Sequence, residues 1–328
     1  MNQKIITIGK KVLSKKEILV FAFVTLMTVT LLLTTQHFLD PNNLDSLQTS
    51  IAPSAIIAIG MMILLITGMF DLSVGSVMGL CGVISAIFLS LGFPVWIAIL
   101  LGILSGALIG LFNGVLVEIV GINPLIATIG VMYMGRGITE ILLVGKGREG
   151  FRNFDPAFIN LGTGKFMGIY YMFWVMFILV VIAQLYIMYA TNGRRLYHIG
   201  GNEEASLQLG VRIKSIRIGA FVLCGTLAAF AGILSTARYE MANRYMGEGM
   251  HMSIIISCLI GGGSIAGGQG SIIGALLGVV FMSLLNNSFN LLEVEPHWQN
   301  VVIGSILVLV VVSDGYLSLR KKKALGKT

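Results

Sequence analysis

The chain has 328 residues, of which 56% are hydrophobic and 11% charged, with 22 Lys and Arg against 15 Asp and Glu for a formal net charge of +7. A soluble globular domain carries roughly 25% charged residues, so this composition excludes an ordinary soluble protein, a disordered chain and a disulfide scaffold. The apolar excess and the 41 glycines predict an all-α bundle of transmembrane helices packed closely through small residues.

A membrane-crossing helix needs about 20 apolar residues, and the charge-free stretches supply about ten, taken here in chain order. Ile18 to Gln36 and Ile51 to Phe70 give the first two, and Leu72 to Val117 is long enough for two more, divided at Gly92-Phe93-Pro94. Ile119 to Val144 is the fifth if Arg136 and Glu140 are tolerated, followed by Phe166 to Gly193 and Ile218 to Ala237. Gly249 to Leu292 holds two segments divided around Gly261 to Gly270, and Pro296 to Ser313 is the tenth. Glycine-broken segments in such proteins include half-helices that do not cross fully. Leu111-Phe112-Asn113-Gly114 in the fourth segment echoes Leu284-Leu285-Asn286-Asn287 in the ninth, which fits an inverted repeat of two five-span halves.

Lys and Arg in short loops stay cytoplasmic. Ten spans with a cytoplasmic N-terminus place 15 basic residues inside and five outside, so both termini are expected in the cytoplasm. The tails 1–17 and 318–328 are then basic cytoplasmic ends whose clusters meet anionic headgroups, and the positive charge needs no nucleic acid. The N-terminus lacks a small-residue cleavage site before the first apolar run and reads as a retained tail. Trp96, Trp174 and Trp298 fall near the outer ends of their spans, at interface depth.

The segment 192–216 is the longest hydrophilic stretch on the inner side. It reads as a short surface helix between glycine turns, with Asn202 as N-cap, Glu203 and Glu204 in the first turn and Gly210 as the stop. Such a helix is either a passive connector or an element that docks into a partner's groove. Gly201-Asn202-Glu203-Glu204-Ala205-Ser206 with Gly210 resembles the cytoplasmic coupling loop of the permease subunits of ATP-binding-cassette importers for ribose and related monosaccharides. Other motifs follow in that family's order: Asp71-Leu72-Ser73-Val74-Gly75-Ser76, then the segment containing Gly262, Gly263, Gly267, Gly268 and Gly270, then Leu285 to Leu292. Met69-Phe70 before Asp71, and Leu209 before Gly210, depart from the usual pattern and leave the sugar open.

The resemblance implies one permease domain over residues 1–328 in the bacterial inner membrane, paired with a second copy or a homologous permease. It implies docking to cytoplasmic ATPase subunits through the coupling loop, and delivery of a monosaccharide or small polyol by an extracytoplasmic binding protein. The chain has no Gly-x-x-x-x-Gly-Lys-Ser/Thr motif to cradle phosphates, so the partner ATPase hydrolyses the ATP and this chain is expected to bind no cofactor. No metal-ligand spacing exists among its four histidines and three cysteines. The alternative is a secondary transporter driven by an ion gradient, for which Glu140 is the candidate membrane carboxylate.

Individual polar residues admit both structural and functional readings. Asp71 is expected to cap the third helix, accepting from Val74 or a neighbouring N–H. Arg136 and Glu140, spaced i, i+4, are expected to pair with each other inside the bundle. With Arg136 and Glu140, the asparagines Asn113, Asn123, Asn286 and Asn287 are candidates for the pathway, where they suit sugar hydroxyls, but bonds between helices are the favoured reading.

Overall fold

The computed structural model describes residues 15–147 and 150–324, the side chains of residues 15, 296 and 317–324 excepted. Most of the basic tail 1–17, Arg148 and the last residues of the tail 318–328 lie outside the described residues. The described residues form α1 (Lys15–Thr34), α2 (Pro41–Ile66), α3 (Val74–Ser90), α4 (Val95–Glu118), α5 (Pro124–Leu142) and α6 (Pro156–Thr163). A two-stranded ribbon, β1 (Lys165–Phe166) and β2 (Ile169–Tyr170), precedes α7 (Tyr171–Tyr189), α8 (Thr191–Gly201) and α9 (Glu203–Gln208). The chain then runs through α10 (Ile213–Tyr239), α11 (Met250–Ile260), α12 (Ile272–Leu291) and α13 (Pro296–Ala324).

Among the described residues eight helices are long and apolar enough to cross a membrane, and the other two expected segments are shorter apolar helices, α3 and α11. At 1.5 Å per residue the 11 residues of α11 rise about 17 Å, roughly half a hydrocarbon core. The short helices are thus the third and eighth of ten apolar segments, five apart. The packing follows the same offset. Helix α2, the second segment, packs on α10, α11 and α12, while α10, the seventh, packs on α2, α3 and α4. These two form the centre and are mostly buried, whereas the apolar stretch of α13 is not buried and lines the edge.

Several boundaries differ from the expectation for physical reasons. Helix α2 begins ten residues before Ile51, because Pro41 in the first turn has its φ preset for a helix, and the polar turns that follow face other elements. Asp45, for example, takes the Lys165 ammonium at 2.6 Å and the Tyr170 hydroxyl at 2.9 Å. Asp155 accepts from the Ala157 N–H at 2.7 Å and starts α6, a helix that apolar counting passes over. Residues 191–201, including Gly193, Gly200 and Gly201, are helical where glycine turns were expected.

Helices α4 and α10 cross where each presents glycine: Gly106 and Gly110 on α4 face Gly225 and the Phe221 backbone on α10. A Cβ on Gly110 would lie 2.9 Å from the Val222 Cα and closer still to the Phe221 carbonyl, so the backbones approach as only glycine permits. Gly110→Leu is therefore expected to lower the thermal unfolding midpoint in detergent, at a cost of about 1–3 kcal/mol. Gly219→Ala on α10, with nothing within 4 Å of its added Cβ, should melt like the parent. Equal melting of the two variants would show that the helices do not meet at Gly110.

Candidate coupling site and translocation cavity

The segment between α7 and α10 folds back on the bundle as two short helices. Asn202, in extended backbone at φ −158°, ψ 102°, separates them, and its side chain accepts from the Ala205 N–H at 3.0 Å, as expected for a cap. Glu203 and Glu204 occupy the first turn of α9, and Gly210 ends it at φ +73°. Ser206 is buried and donates to the Asn202 carbonyl at 2.8 Å. Glu204, Leu207, Gln208 and Leu209 are exposed, with Gly201 beside them and Ala205 half-buried. The outward edge of α9 is therefore a carboxylate followed by two bare leucines.

Behind that edge, α8 is fastened to both glycine-containing breaks. The Tyr197 hydroxyl donates to the Gly270 carbonyl at 2.8 Å. Burial, reinforced by the Glu17 charge, pushes this phenol up to about 12, so it remains a proton donor. Gly200 lies against the Ile66 carbonyl and the Gly268 N–H so closely that any Cβ would collide with both, and Gly268 N–H itself donates to Ile66 O at 2.8 Å. The second break, residues 261–271, holds Gly262, Gly267, Gly268 and Gly270 at positive φ, while Gly263 donates to the Cys258 carbonyl. Ser271 then caps α12 and bonds Glu17.

The first break, residues 67–73, carries Asp71, which is 1% exposed. Its carboxylate accepts from the Ser73 N–H at 2.7 Å, from the Ser73 hydroxyl at 2.6 Å and from the Asn113 amide at 3.1 Å. The expected bond from Val74 is replaced by this tighter turn, in which Ser73 rather than Asp71 occupies the position before α3. Asn113 also donates to Ser73 Oγ at 2.9 Å, so the cluster ties the start of α3 to α4. One turn on, Ser76 donates to the Ser73 carbonyl at 2.8 Å, and Gly75 abuts the Gly247 backbone.

Toward the opposite end, α2, α10, α11, α12, α13 and the 241–249 loop enclose a cavity of about 840 Å³. Its polar wall includes Ser50 and Ser54 of α2, Ser253 and Ser257 of α11, Ser283 and Asn286 of α12 and Asn300 of α13. Glu248 and His251 also line it, and no Lys or Arg does. Of the residues expected along the pathway, only Asn286 faces this space. Asn287 bonds Asn43, Asn113 serves the Asp71 cluster, and Asn123 caps α5 by accepting from the Leu125 N–H at 2.9 Å.

Arg136 and Glu140 do not pair with each other as expected. Arg136 donates to the carbonyls of Arg244 and Met246 at 3.0 and 2.8 Å, whereas Glu140 meets the Arg244 guanidinium at 2.8 Å. Both side chains reach the 240–249 loop, a partner that i, i+4 spacing cannot reveal, and they brace the cavity wall from behind. The cavity serines were also missed, since single serines in apolar helices carry no motif. Arg217 and Glu118, which meet at 3.5 Å, could have been found as opposite charges at the same-side ends of two spans.

The "Branched-chain amino acid transport system / permease component" family matches residues 43–311. The chain is 33% identical over 302 residues to the ribose import permease protein RbsC of Haemophilus influenzae, covering 92% of this chain and 93% of that protein. It is 34% identical to the L-arabinose ABC transporter permease protein AraH of Azospirillum brasilense, covering 91% and 87% of the two. The autoinducer 2 import system permease protein LsrC of Escherichia coli matches at 34%, covering 91% and 90%. This chain belongs to that family of ABC importer permeases. It is a multi-pass membrane protein, placed by its family in the inner membrane in bacteria. Among solved structures, one described as an inward-facing conformation of a metal-chelate type ABC transporter aligns with TM-score 0.48 and 15% identity, covering 94% of this chain and 99% of that one.

Double-mutant cycles separate the two arginines of the permease. Glu140→Gln and Arg244→Gln should be coupled, because each removes the other's partner. Arg136→Gln strips two carbonyls of a donor at a cost of about 1–3 kcal/mol, and its coupling to Glu140→Gln should be weaker than that between Glu140→Gln and Arg244→Gln, since the two meet only through Arg244. Strong coupling of Arg136 with Glu140 in thermal unfolding would restore the direct pair.

Proposed function

We propose that this permease carries a neutral monosaccharide or a related small polyol through the cavity between α2, α11 and α12. One observation carries the reading: the wall supplies hydroxyl and amide groups, which both donate and accept as sugar hydroxyls do, while among the described residues its one carboxylate is Glu248 and no Lys or Arg lines it. An amino acid would bring a carboxylate into a space that holds another carboxylate and no Lys or Arg, at a desolvation cost. The names of the ribose, arabinose and autoinducer-2 relatives support the same substrate class over the amino acids in the family's title.

In this reading the whole chain is one permease domain with both termini in the cytoplasm, in line with the 15 to 5 distribution of basic residues. It pairs with itself or a homologous permease, and an extracytoplasmic binding protein delivers the sugar. A cytoplasmic ATPase docks on α9, where Leu207 and Leu209 offer apolar surface and Glu204 a charge, and that subunit alone hydrolyses ATP. The permease binds no cofactor.

Reconstitution with the cognate ATPase and binding protein tests the substrate. ATP-dependent uptake of a labelled pentose is expected, and Asn286→Leu should reduce it about tenfold, since a lost hydrogen bond in a closed site costs about 1–3 kcal/mol. Uptake of leucine instead of the sugar, or full activity of Asn286→Leu, would refute the assignment. Docking is tested by Ala205→Trp and by Gly210→Val, the latter forcing a β-branched residue to positive φ. Both should reach the membrane and lose co-purification with the ATPase. Retention of the ATPase by both variants would return residues 192–216 to the role of a connecting loop.

A further inference from the structure

Arg217 lies at the 190–212 end of α10 and is 6% exposed, yet its guanidinium serves three separate elements. Its two terminal nitrogens grip Glu203 of α9 at 3.2 and 2.8 Å. One of them also reaches Glu118, the last residue of α4, at 3.5 Å, and the other the Thr67 carbonyl, just past α2, at 3.2 Å. Glu203 is half exposed, with side-chain accessibility 50%, whereas Glu118 is buried at 7%. Thr67 opens the first break, and Glu118 ends the helix whose Asn113 holds Asp71. A buried guanidinium that loses a partner must find another or bear an uncompensated charge.

We propose that Arg217 is the positioning residue that transmits movement of the coupling helix to the ends of α2 and α4. Glu203 rides with α9, and Glu118 stays with the bundle. A pull on α9 that draws Glu203 away leaves Arg217 on Glu118 and the Thr67 carbonyl, so the guanidinium has two discrete arrangements that the docked partner biases. Such a two-state contact can carry a coupling free energy, and the fallback onto Glu118 keeps the charge compensated in both. The proposal rests on ATPase docking at α9.

The test uses the complete transporter, with ATPase and binding protein, in proteoliposomes, reading sugar uptake and ATP hydrolysis together. Arg217→Gln is expected to retain the ATPase and its hydrolysis but to lower sugar carried per ATP about tenfold, within the usual range of coupling energies. Arg217→Lys keeps the charge but not the fork that reaches several acceptors, and should fall between. Glu118→Gln removes the fallback and should also lower the ratio, and the double change Arg217→Gln/Glu118→Gln should be no worse than Arg217→Gln alone. An unchanged ratio in Arg217→Gln, or additive losses in the double variant, would overturn the proposal. If Arg217→Gln fails to fold, Arg217→Lys with and without Glu118→Gln decides by the same ratio. A cross-linker on Leu209→Cys that fails to capture the ATPase in the parent complex would overturn the docking reading itself, whereas capture with an unchanged ratio would sink only the transmission role.

Discussion

The 2.8 Å hydrogen bond from the Gly268 N–H to the Ile66 carbonyl joins the breaks that follow α2 and α11. Irregular backbone at a helix end leaves polar groups that need partners, and here the breaks supply partners to each other. One break supplies the carbonyl at the end of α2 and the other the N–H of the glycine segment. Gly200 of α8 sits on the junction with no room for a side chain. The breaks and the surface helix above them are therefore one structural unit.

From that junction α2 runs through the centre of the bundle to the cavity. The 16 steps from Ser50 to Ile66 rise about 24 Å at 1.5 Å each, linking the cavity wall to the unit that carries α9. Helix α10 makes the complementary link, with Arg217 at the junction end and Ser235 beside the cavity. In the proposed cycle, ATPase closure acts on α9 at one end and the cavity responds at the other through these two buried helices. The five-span offset that relates α2 to α10 and α3 to α11 gives each half of the chain a long central helix followed by a short one.

The sequence foretold the membrane bundle because hydrophobic length is a strong signal: the turn at Gly92-Phe93-Pro94 falls between α3 and α4, and the glycine run between α11 and α12. The short helix after Asn202 was legible through local chemistry, since Asn202, the two glutamates and Gly210 act within a few residues of each other. What failed to show was every contact set by distant elements. Arg136 and Glu140 match the spacing of a helical pair, but each finds a better partner in the 240–249 loop. Asp71 looks like a cap for the next helix, but Asn113, 42 residues on, and the Ser73 hydroxyl draw it into a buried cluster. The start of α2 was hidden because its first turns are polar, and within them Asp45 and Gln48 serve Lys165 and Tyr170.

Hydrogen exchange on the intact transporter, with and without ATP, tests the unity of the breaks and the coupling segment most directly. The account predicts that ATP changes amide exchange in 191–210, 67–73 and 261–271 together, while the α4–α10 crossing near Gly110 stays unchanged. A change confined to 191–210, with both breaks exchanging as they do without nucleotide, would contradict it.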